Sequence, residues 1–360
     1  MRQTGSPRLL EKIGILQERL RRPHRALAAL EASLAADPDQ FQAWAELAKV
    51  MARLGHIGAA TATCRTGLEQ RPQANLARIW GNLLTVQNQP DAARCAYRWA
   101  LDLPGFDIAA LERLFAMQAK RNRNDWLEDF EDLPAGYQNT AIGRAWRAVA
   151  LSAAGRSDAA LAIINPEEQP RRIPFEPPAE FGGIEAFNRR LAAEITADPP
   201  AYPFRDDFHL NTTPRATNQP AWRALLTFVR AELERAALQP ECFGLTGERR
   251  PVLATLDCIS TVLTANASHR QHVHQAGYLT AIYHVQVPTI VQSEARAGAL
   301  ELGGCDQILP GFEPCWDRVW LKPREGWLTL LPSHMFHDVV PTGTTTPRIS
   351  TAADLTPVWN

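Results

Sequence analysis

The chain reads as an α + β protein of two domains, an amino-terminal α-helical solenoid followed by a carboxy-terminal antiparallel double-sheet jelly roll. Three observations predict this. Apolar and small residues recur with a period of roughly 34 over the first hundred positions. Prolines then crowd positions 166–178, and beyond Gly247 short β-rich runs replace the helical periodicity. At 360 residues the chain exceeds what one hydrophobic core usually serves, so two cores are expected.

In the helical part, the best copy of the period runs Trp44, Leu47, Ala48, Met51, Ala60, Cys64, Gly67 and Pro72. Leu10, Ile13, Gly14, Ala26, Leu30, Ser33 and Pro38 hold the same offsets upstream, and Trp80, Leu83, Leu84, Ala93, Tyr97 and Ala100 do so downstream after a three-residue deletion. Small residues stand where paired helices must approach and large ones fill the gaps, so each unit depends on its neighbours for a core. The pattern resembles the tetratricopeptide repeat (TPR), and that resemblance implies a curved stack whose concave face holds a peptide or another protein. The alternative role for the same array is to buttress the second domain or to pair two subunits as a homodimer, because solenoid form does not fix function. A fourth, degenerate hairpin is expected from Leu111 to Ile164 around Trp146, Leu151, Gly155, Ala159 and Ala160, interrupted from Asp125 to Gly136. The helical domain is thus expected over residues 1–165. Pro166, Pro170, Pro174, Pro177 and Pro178 each remove a backbone donor and restrict the preceding residue, which predicts a linker over 166–183.

Next come helices expected at 184–197 and 220–237, the latter with Pro220 in its first turn and Leu225, Phe228, Val229 and Leu233 on one side. Strands are expected at 252–257, 261–265, 279–287, 299–302, 319–322, 327–331 and 349–352, giving a barrel domain over 184–360. A jelly roll lays strands distant in sequence side by side, so residues near 272 and 337 can meet inside one end.

Charge narrows the partners. Lys plus Arg total 38 against 39 for Asp plus Glu, so no field of one sign is available to grip nucleic acid or an anionic membrane. No apolar run has the length of a membrane span or the form of a signal peptide, and a soluble cytoplasmic protein is expected. The six cysteines, Cys64, Cys95, Cys242, Cys258, Cys305 and Cys315, form no Cys-x-x-Cys pair and are expected to be reduced, small buried hydrophobes.

The chemistry is concentrated between Gln271 and Ser350. His272 and His274, two apart on a strand, face one way, and His337 returning from distant sequence completes three sides of a metal site with the others open. That layout suits oxygen activation. Imidazole binds metal only when neutral, so occupancy is expected to fall as pH drops through about 6.5. Arg348 offers a planar fork for an anionic cosubstrate, and Ser350, two residues on, faces the same way. His269, His284 and His334 are read as ordinary core or surface residues, and Trp316, Trp320 and Trp327 as barrel packing. Glu301 faces either the site or solvent, and Arg249-Arg250 is read as a solvated turn.

Over roughly the last hundred residues, the text His272-Val273-His274-Gln275, Tyr278 to Val285, Pro332-Ser333-His334-Met335-Phe336-His337-Asp338-Val339-Val340-Pro341 and Arg348-Ile349-Ser350 resembles the iron(II) and 2-oxoglutarate-dependent oxygenases. It resembles in particular a bacterial group that reads His-x-His-Pro, Ser-Gly-Val-Tyr-Tyr-Val, Pro-Ser-x-x-x-His-x-Val-x-Pro and Arg-x-Ser. The resemblance implies a cupin-like double-stranded β-helix, iron(II), 2-oxoglutarate and O2, and hydroxylation of a carbon centre. Carried over residue by residue, it makes His272, His274 and His337 iron ligands and gives the far carboxylate of 2-oxoglutarate to Arg348 helped by Ser350. Tyr283 packs in the barrel, with the cosubstrate as its other candidate contact. Most of the superfamily has Asp or Glu where His274 stands, so three imidazoles leave the iron one negative charge short, a deficit the dianionic cosubstrate offsets in part. The fusion points to a peptide or protein side chain presented by the repeat groove. Two other readings stay open: an interaction protein whose barrel is not catalytic, and an oxygenase of a free small molecule, which predicts activity in a chain beginning near Gly182.

Overall fold

A computed structural model describes residues 6–105, 107–118, 126–197, 202–205, 208–212, 219–245, 253–265, 267–293 and 295–358. The chain falls into two compact units, Met1–Arg121 and Asn122–Asn360.

The first unit contains α1 (Pro7–Arg19), α2 (Pro23–Ala36), α3 (Phe41–Arg53), α4 (Ile57–Gln70), α5 (Ala74–Val86), α6 (Pro90–Asp102) and α7 (Ile108–Gln118). Its period is a packing rule. A Cβ on Gly14 would lie 2.6 Å from Leu30, one on Gly67 2.8 Å from Trp44, and one on Gly81 2.6 Å from the Tyr97 ring, so each hairpin closes over a missing side chain. The turn inside each hairpin repeats as well, through left-handed Arg21 (φ 56°), Gly55 (φ 82°) and Asn88 (φ 58°).

The second unit opens with α8 (Trp126–Glu131), α9 (Ala135–Gln138), α10 (Ala141–Ala153) and α11 (Ser157–Leu161). These short helices belong with the barrel. Trp126 rests on Phe312 with ring centroids 5.4 Å apart, the Cys315 N–H donates to Ser152 Oγ (2.8 Å), and His334 Nε2 donates to the Ile163 carbonyl (2.8 Å). Trp146 is fully buried. The division between units therefore falls after Arg121, ahead of the expected boundary at 165. The expected linker also carries structure, because β1 (Arg171–Pro174) pairs antiparallel with β9 (Trp327–Pro332) and Phe175 enters the core. Proline is compatible with that strand because β1 lies at the sheet edge and its outer donors are not needed.

The remaining elements are α12 (Ile184–Ala197), β2 (Tyr202–Arg205), β3 (Phe208–Thr212), α13 (Pro220–Ala236), β4 (Leu253–Ala265), β5 (His269–His272), β6 (Leu279–Gln286), α14 (Ile290–Ser293), β7 (Leu300–Leu302), β8 (Val319–Leu321), β10 (His337–Val339) and β11 (Thr344–Val358). A seven-stranded sheet has the order β1-β9-β6-β11-β4-β3-β2, and a four-stranded sheet has the order β5-β10-β7-β8. All pairings are antiparallel. The two runs expected at 252–257 and 261–265 form one strand, and β11, expected over 349–352, pairs with it from Thr344 to Val358.

Side-chain alternation divides the labour of the large sheet. Leu279, Ala281, Tyr283, Val285, Leu328 and Leu330 form a core with Phe187 and Leu191 of α12 and with Leu225 and Val229 of α13. The alternate residues Thr280, Ile282, His284 and Thr329 face the barrel interior. Cys64, Cys258 and Cys305 are buried as expected, whereas Cys95 is exposed. No described helix is long and apolar enough to cross a membrane. The Arg249-Arg250 turn and the start of the expected strand at Val252 lie outside the described residues.

Candidate metal centre and anion pocket

His272 closes β5 and His337 opens β10, and the register pairs them directly across the small sheet. His274 lies just past the end of β5 instead of on the strand that its spacing implied. A tight turn holds it there: its N–H donates to the Ser333 carbonyl (2.9 Å), and the Gly277 N–H donates back to the His274 carbonyl (3.0 Å). A Cβ on Gly277 would sit 2.3 Å from Ser333 Oγ, so the turn needs glycine. One ring nitrogen from each of His272, His274 and His337 falls within 4.8 Å of the others.

Hydrogen bonding fixes how the rings are used. The Nδ1 of His272 meets the Arg270 carbonyl at 2.7 Å, that of His337 meets the Met335 carbonyl at 2.9 Å, and that of His274 meets Asp354 Oδ2 at 2.7 Å. All three acceptors lack a proton to give, so each Nδ1 carries the hydrogen and, in the neutral ring, each Nε2 keeps a lone pair. His274 Nε2 and His337 Nε2 then stand 3.2 Å apart. Two lone pairs do not face each other at that distance without a cation between or beside them. Nitrogens bound at right angles to one metal, at ~2.1 Å each, are ~3.0 Å apart. Burial, with the neighbouring imidazoles adding to it, pushes His272 down to about 4 and His337 well below the usual imidazole range. Protons therefore compete for these two rings only at lower pH than the ordinary value near 6.5 implied.

The same cavity, about 660 Å³, is lined by Arg348 and Ser350 from β11, Thr261 from β4, His269 from β5, Ile282 from β6 and Leu300 from β7. Arg348 is 1% exposed. Its Nη1 donates to Ser350 Oγ (3.1 Å), while Nε and Nη2 have no partner among the described residues. Desolvation lowers it to about 10, so it is a buried cation at neutral pH. A buried charge left unpaired is costly, and this one is shaped for a carboxylate. Next to it, His284 pairs with Ser350 across β6 and β11, is fully buried with Nδ1 unpartnered among the described residues, and is held neutral by burial and by Arg348.

Tyr283 is a correction. Its hydroxyl donates to Asn188 Oδ1 (2.7 Å) in the core beneath α12, on the opposite face of β6 from Ile282 and the cavity. Odd and even positions of a strand cannot share a face, so Tyr283 does not reach a cosubstrate there. Glu301 likewise turns from the cavity to accept from Arg318 (3.1 Å) and Trp320 Nε1 (3.0 Å). Trp316 packs in the barrel as expected, whereas Trp320 and Trp327 are half-buried and stack under Arg296 and Arg324.

Sequence reasoning missed Asp354, and it set aside His269 and His284. Asp354 accepts from His274 and, through its other oxygen, from Thr280 Oγ1 (2.7 Å), which lies 2.8 Å from Ser333 Oγ. The signal was present in β11, where Arg348, Ser350, Ala352 and Asp354 follow the two-residue period and line one cavity.

Residues 257–354 match the family model described as "Putative 2OG-Fe(II) oxygenase", and residues 19–85 match that of the tetratricopeptide repeat. The chain joins these two kinds of segment. No curated protein matches it. Among solved structures, a Pseudomonas putida prolyl-4-hydroxylase is 16% identical, with 56% of this chain and 99% of that chain covered at a TM-score of 0.38. A prolyl hydroxylase from Trichoplax adhaerens, in complex with a hypoxia inducible factor oxygen degradation domain peptide fragment, is 13% identical, covering 59% and 91% at 0.37. The MamA protein is 18% identical, covering 45% and 88% at 0.35.

Proposed function

We propose that the barrel is an iron(II) and 2-oxoglutarate-dependent oxygenase that hydroxylates a carbon centre. His272, His274 and His337 would hold the iron, and Arg348 with Ser350 would take the far carboxylate of 2-oxoglutarate. The observation that carries this is Arg348: a fully buried guanidinium with two nitrogens unpartnered among the described residues, opening on the cavity that also holds three convergent imidazoles. A purely structural metal site has no use for a buried cation awaiting an anion. The donor set fits ferrous iron, since imidazole is a good ligand for it and a three-nitrogen face leaves positions open for a chelating keto acid and O2. Bound there, iron(II) with 2-oxoglutarate and O2 supplies the oxidising power for C–H hydroxylation.

The chain's own residues do the rest. Three Nδ1–H donors fix the ring orientations, Arg348 and Ser350 orient the anion, Thr261 lies beside Ser350 across β4 and β11, and Ile282, Leu300 and Val339 give the cavity apolar walls. The substrate in this reading is a peptide or protein, held by the helical array, where Trp80, Trp99, Leu68, Arg65 and Glu69 line a cavity of about 250 Å³.

Anaerobic addition of ferrous iron and 2-oxoglutarate tests the reading. A metal-to-ligand absorption band in the visible is expected with both together, with neither alone, and not in His337→Ala. Absence of the band from the unaltered protein would overturn it.

A further inference from the structure

We infer that Asp354 stands in for the missing carboxylate ligand, acting through His274 as a positioning residue; this rests on the metal reading above. The three imidazoles are not held alike. His272 and His337 donate Nδ1–H to neutral backbone carbonyls, whereas His274 donates to the Asp354 carboxylate at 2.7 Å. A carboxylate on Nδ1 makes the opposite nitrogen more basic and fixes its direction, so His274 Nε2 gains part of the anionic character that a directly bound Asp or Glu would bring.

Asp354 is placed for that role in several ways. Thr280 Oγ1 donates to its second oxygen and Ser333 backs Thr280, so the carboxylate cannot rotate away. Ser333 also accepts the backbone N–H of His274, which ties ring and backbone of one residue to the same support. Across β4 and β11, Asp354 directly faces Asp257, a like-charge pairing that costs stability in a sheet. Thr356 Oγ1 holds the Asp257 carboxylate (2.9 Å), and among the ion pairs of the described residues no Lys or Arg meets either aspartate, His274 being the ring that Asp354 holds. The sheet thus sets two carboxylates side by side, and the group that Asp354 serves is His274.

The test is cobalt(II) affinity of the full chain, read by its visible absorption, for four proteins: unaltered, Asp354→Asn, His274→Asp and the double variant. Asn keeps the shape of Asp and an acceptor oxygen while removing the charge. In the unaltered background Asp354→Asn should weaken cobalt(II) binding ~10–100-fold, the range for losing such an outer partner. With Asp at 274 the metal has its own carboxylate, and the same Asn change should cost nothing or tighten binding, since it removes an adjacent like charge. Equal loss in both backgrounds would mean a merely structural role, and no loss in the first would remove Asp354 altogether; either outcome overturns the inference while the metal site stands. An unaltered protein that takes up no cobalt(II) would overturn the metal reading and this inference together.

Discussion

Arg348 and Tyr283 lie on the neighbouring strands β11 and β6, yet side-chain alternation gives them different work. The guanidinium enters the cavity and the phenol enters the core beneath α12. Arg348→Lys keeps the charge and loses the planar fork, so one charge-assisted bond of ~1.5–3 kcal/mol is forfeited. The dissociation constant for 2-oxoglutarate should rise at least ~10-fold by titration of the visible band, with cobalt(II) affinity unchanged; an unaltered cosubstrate constant would take Arg348 out of the pocket. Tyr283→Phe should do the reverse. Losing its bond to the buried Asn188 amide costs ~1–3 kcal/mol of stability, visible as a lower denaturation midpoint, without touching cosubstrate affinity. His272 and His337 were legible as partners because their residue type and spacing are chemically narrow. Asp354 was not, because the strand was expected to stop at 352, short of the next step in the two-residue period that carries Arg348 and Ser350.

At the scale of single elements, helices were legible where their contacts are sequence-local. Gly14, Gly67 and Gly81 each mark where one helix of a hairpin meets the next, and the period that revealed them is the same contact repeated. Two glycines separate packing from propensity. Ala in place of Gly favours a helix by ~1 kcal/mol, but at Gly81 the new Cβ would stand 2.6 Å from a Tyr97 ring that is 1% exposed and held by Asn82 Oδ1 (2.8 Å). Overpacking costs ~1–3 kcal/mol, so Gly81→Ala should lower the thermal midpoint, whereas Gly58→Ala, with nothing within 4 Å, should raise it. A rise in both would show that Tyr97 gives way and that the repeat is looser than its period suggests. Strands were harder. β6 and β9 are apolar enough to read, while β5 (His269–His272) and β10 (His337–Val339) are short and polar and are defined by pairing, β5 with β10 and β10 with both β5 and β7. The spacing of His272 and His274 implied a strand, yet neither strand of the metal centre stands out in the sequence as a β-rich run.

For the molecule as a whole, the site's folding unit is larger than its chemistry. A small-molecule oxygenase with a dispensable array was expected to work from near Gly182, yet a chain cut there loses β1 from the edge of β9, Phe175 from the core, and the fully buried Trp146 with the rest of α8 to α11. It also frees the buried His334 ring from the Ile163 carbonyl, only three residues before His337. Burying one large aromatic is worth several kcal/mol, comparable to the whole net stability of a domain, so losing two together should leave the barrel unfolded. A chain of residues 122–360 keeps every one of these contacts and crosses no boundary of its compact unit. That chain should melt cooperatively and give the visible band with ferrous iron and 2-oxoglutarate, whereas one beginning at residue 182 should show neither a cooperative melt nor the band. A folded, band-forming protein starting at 182 would mean that α8 to α11 are an appendage and that the barrel's core is complete without Phe175 and β1.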